Sequence, residues 1–161
     1  MTIYVFDTSY LIEFSDCDAV PEVRDRIRGM VQSAVNTGAR FVVPLPCLFE
    51  LGDHIADVTH AARRNELAKW LFKTVELSLK NERPWIITPA GDPKDILPSL
   101  LLRFEQRSVK KQIGLVDTFA AAEGERLKTE YQRMKATVHL WTNDRALKAL
   151  EPDKEVNPYF W

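Results

Sequence analysis

Met1-Thr2-Ile3-Tyr4-Val5-Phe6-Asp7-Thr8-Ser9 opens the chain, and the way this stretch stops decides the fold. A β-branched and aromatic run of strand length breaks abruptly on a carboxylate followed by two hydroxyls. Tyr10-Leu11-Ile12 then begin a helix. Asp7 is thereby placed at the tip of a strand and the mouth of a helix. In open α/β sheets that crevice is where ligands and metals bind. Helix capping accounts for an Asp or a Thr at such a point equally well, so the reading depends on what recurs elsewhere.

Working outward, strands and helices alternate. Val23, Ile27, Met30, Val31 and Ala34 recur at helical spacing within Pro21–Asn36, and Gly38 stands where a C-terminal cap belongs. Arg40-Phe41-Val42-Val43 is a second strand stopped by Pro44. Pro46 suits the first turn of a helix through Leu48, Leu51, Ile55 and Val58. A long charged helix runs from about Thr59 to Asn81, and Trp85–Thr88 is a short third strand. Pro89–Pro98 reads as a loop, a lip over a site. Leu100–Gln112 and Val116 to about Lys135 read as helices. Thr137–Trp141 is the fourth strand, closing on Thr142-Asn143-Asp144. A short helix, Arg145–Leu150, leads to the aromatic tail Tyr159-Phe160-Trp161. The expected class is α/β, a three-layer α/β/α sandwich around a mainly parallel sheet of four to five strands.

The 161 residues amount to about one domain, and 45% hydrophobic with 28% charged residues is the balance of an ordinary soluble protein. Lys and Arg number 22 against 23 Asp and Glu, which argues against avid nucleic-acid binding through bulk charge. Cys17 and Cys47 form neither a metal spacing nor a disulfide framework. With no signal peptide, a cytoplasmic location is expected. No apolar stretch approaches the roughly 18 residues that would suggest a membrane span.

Four acids recur in the setting of Asp7. Glu50 lies early in the helix after the second strand, Asp117 begins the helix Val116–Gly124, and Asp144 ends the fourth strand. All four belong to the same edge of a parallel sheet. Clustered carboxylates repel and raise one another's pKa, a penalty that a hard divalent cation removes. Mg²⁺ and Mn²⁺ prefer oxygen ligands and retain waters, which suits a few carboxylates plus a phosphate substrate. Taken singly, Asp7 and Asp117 read as caps, Glu50 as a solvated helix acid and Asn143-Asp144 as a turn. Ala120, Ala121 and Gly124, at i+3, i+4 and i+7 from Asp117, would let its helix pack closely and bring that acid near the others.

The strand ending in Asp7-Thr8-Ser9, the Val42-Val43-Pro44 strand leading to Glu50-Leu51, Leu115-Val116-Asp117 before an Ala-rich helix, and Leu140-Trp141-Thr142-Asn143-Asp144-Arg145 together resemble the PIN-domain nucleases. That family includes the toxin components of bacterial and archaeal toxin–antitoxin pairs. The resemblance runs nearly end to end as one PIN-like domain over 1–161. It departs from a compact toxin in the extra helical segment around 59–81 and in its lack of net basic charge. It implies a Mg²⁺- or Mn²⁺-dependent ribonuclease with Asp7, Glu50, Asp117 and Asp144 as acidic ligands. Thr8 or Ser9, with Thr142 and Asn143, would orient carboxylates or waters. It also implies an RNA substrate, an antitoxin partner and a homodimer formed through exposed apolar positions on the early helices.

Arg103, Arg107, Lys110 and Lys111, at i, i+4, i+7 and i+8, are candidates for a phosphate track, with Arg145 a weaker one. A solvated helix face beside Glu105 explains the same four residues. His54 shares a helix face with Glu50 but lacks the second His of a zinc-hydrolase motif. Two rival functions stand beside the nuclease. One is a non-catalytic PIN-like RNA-binding or scaffolding module. The other is a phosphatase of the haloacid-dehalogenase-like type, which wants a second Asp where Ser9 stands.

Overall fold

A computed structural model describes residues 1–17, 21–81, 83–89, 92–111 and 113–155, with 107–111 described as backbone only. The Arg107, Lys110 and Lys111 side chains and the Tyr159–Trp161 tail therefore lie outside the described residues. The elements run β1 (Thr2–Phe6), α1 (Thr8–Ser15), α2 (Pro21–Asn36), β2 (Arg40–Pro44), α3 (Leu45–Asp57), α4 (Ala61–Asn81) and β3 (Ile86–Thr88). Then come α5 (Pro93–Lys111), α6 (Leu115–Glu130), a 3₁₀ turn (Gln132–Met134), β4 (Thr137–Trp141) and α7 (Arg145–Lys148).

The four strands form an all-parallel sheet in the order β3-β2-β1-β4. Register pairs Val5 with Val42 and with Leu140, and Phe6 with Trp141. The chain moves outward from β1 through β2 to β3, then returns to lay β4 on the other side of β1. The order thus reverses between β1 and β4, and a crevice opens beyond their carboxyl ends. Asp7 follows β1 directly and Asp144 lies three residues beyond β4, so both stand at that crevice.

Side chains alternate across the sheet, so each strand feeds two cores. Phe6, Val43 and Trp141 pack toward α1–α4, with Tyr10, Leu11, Ile27, Leu51 and Leu67. Val5, Val42, Val138 and Leu140 pack toward α6 and α7, with Ala120, Ala121 and Leu147. This is the three-layer α/β/α sandwich, and burial on both faces explains the nearly continuous apolar strands. A β-carbon on Gly124 would come within 3.0 Å of Leu140 Cδ2, so this glycine lets α6 lie against β4. The small face after Asp117 has the packing role its spacing suggested.

The Pro89–Pro98 loop is corrected: α5 begins at Pro93 and carries Pro98 inside it. Asp92 accepts the Lys94 amide at Oδ1 (2.9 Å), and Pro93 is well suited to a first helical turn, so Asp92-Pro93 is a start signal. The helix tolerates the loss of the one amide that Pro98 cannot supply. The helix begun at Asp117's segment ends at Glu130 rather than near Lys135, where the chain tightens into the 3₁₀ turn and Lys135 takes a left-handed φ of 50°. Among the described residues no helix is long and apolar enough to cross a membrane.

Candidate metal centre at the carboxyl edge of the sheet

Asp7 occupies the N-cap position of α1, yet its side chain makes no capping hydrogen bond. It turns instead across the strand tips. Ser9 Oγ donates to Asp7 Oδ2 at 2.8 Å, and the buried Thr142 Oγ1 donates to the same oxygen at 2.9 Å. Both hydroxyls are themselves fixed from behind, by the Asn143 amide to Ser9 Oγ (3.1 Å) and the Asp144 amide to Thr142 Oγ1 (3.0 Å). The Asp7 amide donates to the Trp141 carbonyl at 3.0 Å, tying the two strand ends together. Asp7 is 7% exposed. Burial raises its pKa above the ordinary value, while the Ser9 and Thr142 hydroxyls and the neighbouring amides oppose the rise.

The other three acids are held in turn. Thr8 Oγ1 donates to Glu50 Oε2 at 2.5 Å, which joins α1 to α3. Asp117 Oδ2 accepts the Gly114 amide at 3.0 Å at the start of α6. Asp144 Oδ1 accepts the Ala146 and Leu147 amides at 2.6 and 2.9 Å and so caps α7. The capping role open to Asp117 from sequence is therefore real, and Asp144, read from sequence as part of a turn, caps α7 as well. These bonds fix at least one oxygen of each carboxylate.

Electrostatics joins the four. Asp117 has a raised pKa, through burial first and the charge of Asp7 next, with Asp144 and Glu50 adding to the rise against the Gly114 amide. Burial, then the charge of Asp7 and also that of Glu50, pushes the Cys47 thiol well above its ordinary value. Cys47 is thus a protonated, buried neighbour and not a thiolate ligand. None of the four acids forms an ion pair among the described residues. The donor set is oxygen throughout and its charge is uncompensated, which fits a hard divalent cation such as Mg²⁺ or Mn²⁺. No three of these acids bring ligand atoms within 4.8 Å of one another.

The remaining candidates divide. Thr8, Ser9 and Thr142 position carboxylates through their hydroxyls, whereas Asn143 does so through its backbone amide and leaves its side chain exposed. Arg103 is paired with Glu125 at 2.5 Å across α5 and α6, so it pins the two helices together. Arg145 is exposed one residue beyond Asp144. His54 is exposed toward the end of α3.

A second polar cluster escaped the sequence reading. His139, Glu151 and Glu155 bring ligand atoms within 4.8 Å of one another. Lys148 Nζ lies 2.6 Å from Glu151 Oε2 and 3.8 Å from Glu155 Oε1, so an ammonium already supplies the cation there. The same segment seals the outer edge of β4. The Val138 amide donates to Asp153 Oδ2 (2.7 Å), the Leu140 amide to Glu151 Oε2 (3.2 Å), and Lys148 Nζ to the Leu140 carbonyl (3.0 Å). Side chains thus do for this edge what a fifth strand would do. Alternation along β4 places His139 and Trp141 on one face, but contacts with residues 148–155 depend on how the chain turns after α7.

No protein-family model matches this sequence, and no curated protein matches it.

Proposed function

We propose that the protein is a PIN-like, Mg²⁺- or Mn²⁺-dependent ribonuclease that hydrolyses RNA phosphodiester bonds at Asp7, Glu50, Asp117 and Asp144. One observation carries the reading: Asp117 stands close enough to Asp7, Asp144 and Glu50, from three other chain segments at a sheet's carboxyl edge, for their charges to add to the burial that raises its pKa, and none of the four has an ion-pair partner among the described residues. In this reading the four acids hold the cation, which when bound lowers the pKa of a water and neutralises charge on the phosphate. Ser9 and Thr142 fix the Asp7 carboxylate, Thr8 fixes Glu50, and backbone amides fix Asp117 and Asp144, so the ligand oxygens are oriented before a substrate arrives. No side chain needs to act as a covalent nucleophile. The resemblance extends the proposal to a cytoplasmic toxin with an antitoxin partner and a homodimer. Exposed Val35, Phe72 and Leu79 support an apolar interface.

The spacing of the acids, wider than 4.8 Å for any three, favours a second reading, a non-catalytic PIN-like RNA-binding or scaffolding module. Cleavage of mixed structured and single-stranded RNAs in Mg²⁺, Mn²⁺ or EDTA, with wild type beside Asp7→Asn, separates the two. Metal-dependent cleavage that falls about 100- to 1,000-fold in the variant, with circular dichroism unchanged, supports the nuclease. RNA binding without cleavage in any metal supports the module. Cleavage indifferent to Asp7→Asn overturns the assignment of the site.

A further inference from the structure

A cavity of about 690 Å³ lies where β2 and β3 begin, on the face of the sheet that α1–α4 cover, and none of the four acids lines it. Phe6, Phe14, Val31, Phe41 and Trp85 form its interior. Val35 on α2 and Leu77 on α4, each half exposed, form its lip. Its volume is that of a ligand site, roughly 300 to 1,000 Å³. A wall of rings favours an aromatic occupant, because offset-stacked and edge-on ring pairs gain beyond the area they bury.

The chain carries such an occupant close by. Glu155, the last of the described residues, is held on this same face: Trp141 Nε1 donates to Glu155 Oε1 at 2.6 Å, and the Glu155 amide donates to Glu151 Oε1 at 2.9 Å. From there a row of rings crosses the strands toward the cavity. His139 stacks on Tyr4 with ring centres 5.6 Å apart, and Tyr4 on Phe41 at 6.0 Å, in the register that pairs Tyr4 with both. Trp141 lies 5.3 Å from Phe6 and 6.1 Å from Phe41, and both of those rings belong to the cavity wall. The residues that follow Glu155 are Val156-Asn157-Pro158-Tyr159-Phe160-Trp161. Six extended residues span up to about 20 Å, whereas the steps from β4 across β1 and β2 to β3 cover about 14 Å. We propose that the cavity seats the chain's own aromatic segment, with Tyr159–Trp161 against Phe14, Phe41 and Trp85 and with Val35 and Leu77 at the point of entry. Seated there, the segment links β4 at one side of the sheet to β2 and β3 at the other. The inference uses none of the four acids and stands apart from the nuclease reading.

Fluorine NMR on the full chain carrying 5-fluorotryptophan tests this, with the Trp161 signal assigned through Trp161→Phe. A soluble gadolinium chelate should broaden that signal about three- to tenfold less than it broadens free 5-fluorotryptophan, as for a group that loses most of its surface. Val35→Glu/Leu77→Glu puts two charges at the lip, on side chains that belong to neither buried core. It should raise the broadening of Trp161 to the free value, with circular dichroism confirming the fold. Trp161→Ala should in turn move the signal of Trp85, which loses a ring from its side of the cavity. A Trp161 as exposed as free tryptophan overturns the proposal, as does protection that survives the lip variant. Protection that falls on dilution overturns it as well, because the segment would then sit on a second copy of the chain.

Discussion

The two acidic regions of this protein sit near the two ends of the same C-terminal passage, β4 through residue 155, and they are built on opposite principles. At the carboxyl edge, Asp7, Glu50, Asp117 and Asp144 have hydroxyls and amides around them but no ion-pair partner among the described residues, and Asp7 and Asp117 are pushed toward protonation. Along the β4 edge, Glu151, Asp153 and Glu155 meet Lys148, Lys128 and His139. Burial works against the charge of Asp153, yet the Lys128 hydrogen bond and the Val138 amide hold its pKa below the ordinary value. Carboxylates that the fold uses for its own integrity arrive with their cations. The carboxylates left without them include two, Asp7 and Asp117, that burial pushes toward protonation, with neighbouring acids adding to the push at Asp117.

The comparison breaks most visibly at Lys148. Lys148→Met removes the ammonium from the buried Glu151 and should cost about 3–5 kcal/mol in chemical denaturation, because an uncompensated buried charge remains. A loss under about 1 kcal/mol would mean that the β4 seal does not need its cation. The acidic edge should respond in the other direction. Mg²⁺ at a hundred times its dissociation constant should stabilise wild type by about 2.7 kcal/mol, read as a rise in melting temperature, and should do little for Asp7→Asn. Equal shifts in both proteins would place the cation elsewhere.

The smallest effect sharpens the contrast through pH. Asp153 has a folded pKa below its ordinary 3.8, so its stabilisation is complete above that value and is lost as pH falls through the folded pKa. Asp7 has a raised folded pKa, so its effect is reversed: no cost below 3.8, then a destabilisation that grows until the pH passes the folded value. Asp153→Asn should therefore lose about 2 kcal/mol at pH 7 and much less near pH 3. A pH-independent loss would assign the effect to packing.

Much of this was legible in the chain. Thr137–Trp141 is a strand as read from the sequence, and β1 and β2 lie where their apolar runs place them, because a strand buried on both faces must be largely apolar. The positions of Asp7, Asp117 and Asp144 at strand and helix ends follow from the same runs, whereas Glu50 lies one turn further into its helix than a terminal acid. Pro98 misled, because a proline five residues after a well-capped start costs one hydrogen bond without ending the helix. The small face of α6 was readable as Ala120, Ala121 and Gly124, but its contact with Leu140 was not.

Sequence by itself determined the alternation of strands and helices, and with it the edge to which Asp7, Glu50, Asp117 and Asp144 belong, since periodicity and chain direction are local properties. Tertiary structure alone decided the rest. The order β3-β2-β1-β4 set Thr142 against Asp7 across 135 positions of chain, and the turn after α7 brought Glu151 and Asp153 to the amides of β4. It also decided which carboxylates found cations. Ion pairing between distant segments depends on side chains meeting in space, and no local spacing in the chain encodes that distance.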